Sequence, residues 1–448
     1  MAAALEKKRS ILMLPWLAHG HISSFLELAK NLARKNFHIL FCSTPINLKP
    51  IRENYELMNS IQFIDLHLPP SEELPLHFHT TKDLPPHLMP TLKIALDEAK
   101  PEFFSILRTF KPDLVIFDFL QPWVQVAAKE QGIEAVVFMT VGAMTSSFLV
   151  YYSISDDSGK EFPFQEIYFP ESERQEMLLS MHDAANGKTS GERCLESFKK
   201  SSNFVLMRTS REIEGKYIDY LSTLVNKEMV PVGPLVQEPV FNDQDTVMIM
   251  NWLSEKEPSS VAYVSFGSEY FLSKEEMGEI ALGLELSKVS FFWDVRFHGG
   301  DTGWTSIHEV LPDGFLRRIG ERGMIFEGCA PQVKILSHES IGGFVSHCGW
   351  SSTLESMMFG VPIVAMPMQL DQPLNAKLIV EVGVGREVPK ESGKFKKEVV
   401  ARVIKEVLFA KEGERVRIRA KELGKKMREK RGEEIDVVAK KLAQLVKD

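Results

Sequence analysis

Short apolar runs alternate with amphipathic helical stretches along most of this chain, and the alternation confines it to doubly wound α/β architecture on parallel sheets. Strand-like runs fall near residues 10–17, 37–43, 61–65, 113–118, 134–139, 203–208 and 229–232 in the first half. The second half supplies them near 260–265, 289–296, 323–327, 342–346 and 362–366. Between them the period changes to that of a helix. Phe25, Leu28, Ala29 and Leu32, at i, i+3, i+4 and i+7, predict a helix from about Ser23 to Lys35. A length of 448 residues calls for two or more domains. The segment Val230-Pro-Val-Gly-Pro234 and the acidic stretch after it mark a linker, and the polar Glu238–Asp245 belongs to it. Residues 66–90, rich in Pro and His, and the polar 154–190 read as long loops, the usual carriers of recognition. From Glu398 onward the chain is helical and charge-dense, with its charged side facing solvent.

Composition narrows the class. A hydrophobic content of 44% and a charged content of 25% suit a globular enzyme. The net charge of −8 argues against a nucleic-acid partner. Four scattered cysteines (Cys42, Cys194, Cys329, Cys348) make no disulfide framework, and no N-x-S/T sequon occurs, so a cytoplasmic location is expected. Lys7-Lys8-Arg9 before an apolar run imitates a signal peptide, but the run is short and leads into His19-Gly-His21 without a cleavage pattern. Residues 135–155 carry no charge, yet Thr140, Gly142, Thr145, Ser146 and Ser147 interrupt them, so no membrane span is expected. Asp243-Gln-Asp245 and His77-Phe-His79 imitate metal ligands without a completing cluster, and no metal is expected. No G-x-G-x-x-G opens the first strand, which argues against a dinucleotide oxidoreductase.

Two constellations carry chemistry. Near the N-terminus, the strand-like 11–18 (ILMLPWLA) leads to His19-Gly20-His21, at the ligand edge of an open α/β sheet. An imidazole there suits a general base. The run Asp113–Asp118 ends a second strand in a carboxylate that can hold one ring nitrogen of His21 and stabilise an imidazolium. Read by themselves, the same residues also fit a turn histidine and a helix-cap aspartate. Further on, Gly342–Ser346 reads as a buried strand ending at His347, and Cys348-Gly349-Trp350 as a tight connection. Ser352-x-x-Glu355 reads as a capping box opening a helix through Met358. Outward-pointing N–H groups at such a helix start make an anion site, to which His347 adds a donor; an ordinary βα unit is the plain alternative. The turn after Val261–Ser265, containing Gly267 and Ser268, can offer further N–H groups.

The ordered segment from Cys329 to Gln372 closely resembles the signature box of plant family-1 UDP-dependent glycosyltransferases, and Gly20-His21 and Asp118, with Trp123 following, resemble that family's catalytic pair. The resemblance implies a GT-B fold, two Rossmann-like domains facing across a cleft. It implies an N-terminal acceptor-binding domain over 1–235, a linker over 236–250, a UDP-sugar domain over 251–430, and a last helix over 431–448 packing back on the first domain. It places Ala330 and Gln332 at the uracil and ribose, and Glu355 at the ribose hydroxyls. His347, Ser352 and the Trp350 backbone region would hold the diphosphate, Asp371 and Gln372 the sugar hydroxyls, and Gly267, Ser268 and Thr140 would lie beside phosphate or sugar. Two departures stand out: Cys329 replaces a Trp that stacks on uracil, and Ser351 replaces an Asn. Loss of that stacking is expected to weaken donor binding by about 1–3 kcal/mol, so KM suffers rather than kcat.

The expected activity is inverting, metal-independent transfer of glucose from UDP-glucose as co-substrate, with no cofactor, by a monomer. Gln372 is the residue that the resemblance associates with glucose. Leu14–His21, Ser265–Glu269 and Met366–Pro373 together resemble the branch-forming group, which adds sugar to the sugar of a terpenoid, lignan or flavonoid glycoside. The alternatives are direct action on aglycones, a catalytically idle UDP-sugar binder, and, most remote, a dehydrogenase.

Overall fold

A computed structural model describes residues 8–54, 60–154, 161–180, 184–237, 244–267, 270–296, 306–328 and 330–446. The chain divides into two compact units, one of residues 1–163, 169–235 and 430–448, the other of 164–168 and 236–429.

The first unit holds strands β1 (Ser10–Leu14), β2 (His38–Ser43), β3 (Ile61–Asp65), β4 (Leu114–Asp118) and β5 (Glu134–Met139). A two-stranded hairpin, β6 (Ala184–Ala185) and β7 (Lys188–Thr189), is followed by β8 (Phe204–Met207) and β9 (Glu228–Pro231). Seven strands form one parallel sheet in the order β3-β2-β1-β4-β5-β8-β9. Alternate residues feed opposite faces. Ile11, Met13, Ile39, Phe41, Leu114, Ile116, Val136 and Phe138 pack against the helix His19–Arg34, while Leu12, Leu14, Val115 and Phe117 are buried on the other side. With both faces covered, the strands read as unbroken apolar runs rather than alternating ones. The helix Glu433–Leu445 joins this core through Ile435, Val438, Leu442 and Leu445, which share one helical face.

The second unit holds β10 (Val261–Ser265), β11 (Ser290–Val295), β12 (Gly323–Glu327), β13 (Ile341–Ser346), β14 (Ile363–Ala365) and β15 (Gly385–Glu387). They pair in parallel in the order β12-β11-β10-β13-β14-β15. Ala262, Val264, Phe291, Trp293 and Val345 face the helices Lys274–Ser287 and Lys397–Leu408. Tyr263, Phe292 and Phe344 face the opposite layer, with Ile249, Leu253, Ile335 and Leu336.

Three local expectations change. The first helix begins at His19, because Ala18 is its extended N-cap, so His21 lies within the first turn. The helix expected to open at a Ser352–Glu355 capping box starts at Trp350 behind Gly349, with no side-chain cap bond. Ser352 is thus already inside the helix, and Glu355 is engaged elsewhere. The linker's polar end becomes helical at Gln244, while Asp243 lies outside the described residues. Among the described residues no helix is long and apolar enough to cross a membrane.

Candidate active site

In the first unit, β1, β4 and β5 end at one edge, since Leu14 pairs with Phe117 and Asp118 with Phe138. Asp118 is fully buried there, as the last residue of an apolar strand. Its Oδ2 lies 2.6 Å from His21 Nδ1, and its Oδ1 accepts from the Leu120 N–H at 3.2 Å. The Phe119 ring sits 5.7 Å from the imidazole. A carboxylate on Nδ1 holds the proton at that nitrogen and leaves the lone pair of the neutral ring on Nε2. Such a ring can accept a proton at Nε2, and the resulting imidazolium is stabilised by the buried carboxylate. The His21 side chain is 19% exposed, so the ring is held without being sealed in. Thr140, following β5, has its hydroxyl 3.0 Å from the same Nδ1, a contact with the imidazole that its expected place beside the donor did not anticipate. His79, considered as a metal ligand, is buried with Nε2 on the Leu74 carbonyl. Among the described residues no group of three or more His, Cys, Asp or Glu could hold a metal ion.

In the second unit His347 follows β13 at the carboxyl edge of the sheet and is 9% exposed. Its ring is fitted between glycines. A Cβ at Gly267 would stand 2.6 Å from Nε2, and one at Gly349 would stand 2.5 Å from it. Gly267 also has φ of 78°, a conformation open to glycine at little cost. Burial pushes the imidazole down to about 4, opposed in part by the Ser265 backbone as an acceptor that favours the protonated ring. His347 is therefore neutral near pH 7, a one-proton donor rather than a cation. Its Nδ1 has no hydrogen-bond partner among the described residues.

A polar chain crosses the same edge. Tyr263 Oη donates to Gln332 Oε1 at 3.3 Å, and Gln332 Nε2 donates to Ser352 Oγ at 3.0 Å and to Glu355 Oε2 at 2.7 Å. Side chains from a strand (Tyr263) and from two helices (Gln332; Ser352 and Glu355) thus share one network. Trp350 is buried at 5% exposure, so this position offers a ligand its backbone, while Ser351 beside it is partly exposed. Ala330 is also buried, just ahead of the helix Gln332–Ser337. Cys329 and Ser268 lie outside the described residues.

Asp371 and Gln372 open the helix Gln372–Val382, and each is held in one orientation. Asn375 Nδ2 donates at 2.9 Å both to Asp371 Oδ2 and to the carbonyl of Cys348, joining this helix to the turn after β13. Gln372 Oε1 accepts from the N–H groups of Met368 and Gln369 at 2.9 and 3.0 Å. The amide oxygen is thereby occupied, and what Gln372 can offer a sugar hydroxyl is its NH2 group. Sequence reading passed over Asn375. Its spacing of four from Asp371 on a helix was the available signal.

Two doubly wound units, one carrying a carboxylate-held imidazole and the other a glycine-fitted histidine with a polar network at the strand edge, define a group transferase with a nucleotide-linked donor. Residues 7–237 match the glycosyltransferase N-terminal domain family, and residues 234–415 match the family described as UDP-glucoronosyl and UDP-glucosyl transferase. The chain belongs to the plant family-1 UDP-glycosyltransferases and is a UDP-glycosyltransferase of GT-B fold class. It is 49% identical over 449 residues to flavanone 7-O-glucoside 2''-O-beta-L-rhamnosyltransferase of Citrus maxima, covering 99% of this chain and 98% of that one. It is 48% identical to beta-D-glucosyl crocetin beta-1,6-glucosyltransferase of Gardenia jasminoides, covering 97% and 98%. Among solved structures, a Medicago truncatula UGT complexed with UDP-glucose is similar at a TM-score of 0.78 and 27% identity, covering 99% of each chain.

Proposed function

We propose that this enzyme transfers glucose from UDP-glucose, with inversion, to a sugar hydroxyl of a small-molecule glycoside. The observation that carries the chemistry is the 2.6 Å contact between His21 Nδ1 and the buried Asp118 carboxylate. In this reading His21 Nε2 takes the proton of the acceptor hydroxyl as its oxygen attacks the anomeric carbon. The bond from that carbon to the UDP oxygen breaks on the opposite face, and UDP leaves with the electron pair. Asp118 stabilises the imidazolium. The neutral N–H of His347, the backbone of Gly267 and Ser268, and the N–H groups at the start of the helix Trp350–Phe359 with Ser351 and Ser352 stabilise the diphosphate charge. Gln332, Glu355 and Ala330 take the uridine, with Cys329 at the base. Asp371 accepts from sugar hydroxyls, and Gln372 donates to one through its NH2 group.

The glycoside acceptor is supported by relatives whose names specify glycosides, the Citrus maxima and Gardenia jasminoides enzymes among them. Glucose is a narrower proposal, since the relatives also include a Bellis perennis glucuronosyltransferase at 43% identity. The test offers UDP-glucose, UDP-rhamnose and UDP-glucuronic acid, each with a panel of aglycones and their monoglucosides, and reads products by mass spectrometry. Hexose added mainly to monoglucosides is the expected result. Addition mainly to aglycones refutes the acceptor assignment, and a preference for either other donor refutes glucose.

A further inference from the structure

The turn that follows Asp118 is gripped from outside by one helix. On Ser190–Lys200, Ser197 Oγ donates to the Phe119 carbonyl at 2.8 Å, and Arg193 Nη1 donates to the Leu120 carbonyl at 3.1 Å. Four residues apart on one helical face, the two side chains meet successive peptides. The Leu120 N–H is itself bonded to Asp118 Oδ1 at 3.2 Å. That residue's backbone is therefore fixed on both sides, by the carboxylate and by the guanidinium.

Arg193 is in turn immobilised. It makes paired bonds to Asp97, Nη1 to Oδ1 at 3.0 Å and Nη2 to Oδ2 at 2.6 Å, and Nη2 also donates to the Ala185 carbonyl at 2.9 Å. Asn186 Nδ2 donates to Asp97 Oδ2 at 2.8 Å. Arg193, Asp97 and Ser197 are 3%, 7% and 0% exposed. A buried ion pair is weak evidence of stabilisation, since desolvation offsets its attraction, and its better use is to impose one geometry. Here the imposed geometry falls on the two residues that directly follow the carboxylate orienting His21, Phe119 held by Ser197 and Leu120 by Arg193.

We propose that Ser197 and Arg193, the latter held by Asp97, are positioning residues that set the Asp118 carboxylate against His21 Nδ1. This rests on His21 acting as the base. The two side chains touch neither His21 nor the substrate in this scheme; they act through the Phe119 and Leu120 peptides.

The test compares Ser197→Ala, Arg193→Lys and His21→Ala with the full-length wild-type enzyme, and uses Ser287→Ala as a control. Ser287 is an equally buried serine of the second unit, bonded to the Leu284 carbonyl at the opposite end of its sheet. Arg193→Met would strand Asp97 and risks unfolding, so the milder Ser197→Ala decides, with folding verified by circular dichroism. Ser197→Ala and Arg193→Lys are expected to lower kcat about 10-fold or more, while KM for UDP-glucose stays within about twofold. The acidic limb of the kcat/KM profile is expected to move to lower pH, because a carboxylate held less firmly favours the protonated ring less. If His21→Ala is inactive but both clamp variants keep the wild-type kcat and pH profile, the positioning role is wrong and the base assignment stands. If His21→Ala retains wild-type kcat, the base assignment fails and this inference falls with it.

Discussion

At the scale of single residues, the two histidines of the candidate site are prepared in opposite ways. His21 is held by a charged carboxylate and remains partly open to solvent, as suits a group that must gain and lose a proton. His347 is buried, with glycines on either side of Nε2, and kept neutral, as suits a fixed donor. Replacing His21 by Ala should reduce kcat by about 10²–10⁴ with little change in donor KM, as measured by steady-state kinetics. Asp118→Asn should fall in the same range, and wild-type kcat in either variant would remove the dyad from the mechanism. The pH response of His347 has a definite sign. Its folded value of about 4 lies below the ordinary 6.5. As pH falls below about 6.5 the unfolded chain takes up a proton that the folded protein refuses until about 4. This contribution to stability is fully present above about 6.5 and is lost progressively down to about 4, on the order of 3 kcal/mol in all. Urea unfolding across that window should show a shallower slope for His347→Gln than for wild type; identical slopes would contradict the assignment. Cys329→Trp should lower KM for UDP-glucose by about 5- to 150-fold and leave kcat nearly unchanged, if aromatic stacking is what the position lost.

At the scale of elements, periodicity made much of the fold legible. Both sheets lie buried on two faces, so the strands appear in the sequence as continuous apolar runs, and those near 37–43, 113–118 and 134–139 match β2, β4 and β5 closely. Legibility fails where a local pattern competes with packing. Ser352-x-x-Glu355 has the spacing of a capping box, yet the helix begins at Trp350, and Gln332 captures both side chains. The polar 154–190 reads as irregular but includes the helix Glu171–Ser180 and the hairpin β6–β7, whose few buried residues leave a weak periodic signal. The terminal helix Glu433–Leu445 owes its place to an apolar stripe rather than to its charges. Leu442→Ala, at a fully buried position, should cost about 2–5 kcal/mol in denaturant unfolding. A loss below about 0.5 kcal/mol would mean that the helix does not dock as described.

At the scale of the molecule, the chain is two compact units, and the proposed donor ligands belong to the second. UDP should therefore protect amides around 330–375 from hydrogen exchange, and at 100 times its dissociation constant it should add about 2.7 kcal/mol to the stability of that unit. Equal protection of 10–140 and 330–375 would contradict a donor site built from the second unit. The sequence by itself determined the class of fold, through strand and helix periods that are local properties of the chain. It also marked out His21, Asp118 and His347, because strand ends followed by polar residues can be read without knowing their neighbours. The tertiary structure alone decided which atoms meet: Thr140 on His21, Asn375 between Asp371 and Cys348, and the clamp of Ser197 and Arg193 on the turn after Asp118. Most of these contacts join residues tens of positions apart, and no local period encodes them. They are fixed only when each core packs and its buried polar groups must find partners.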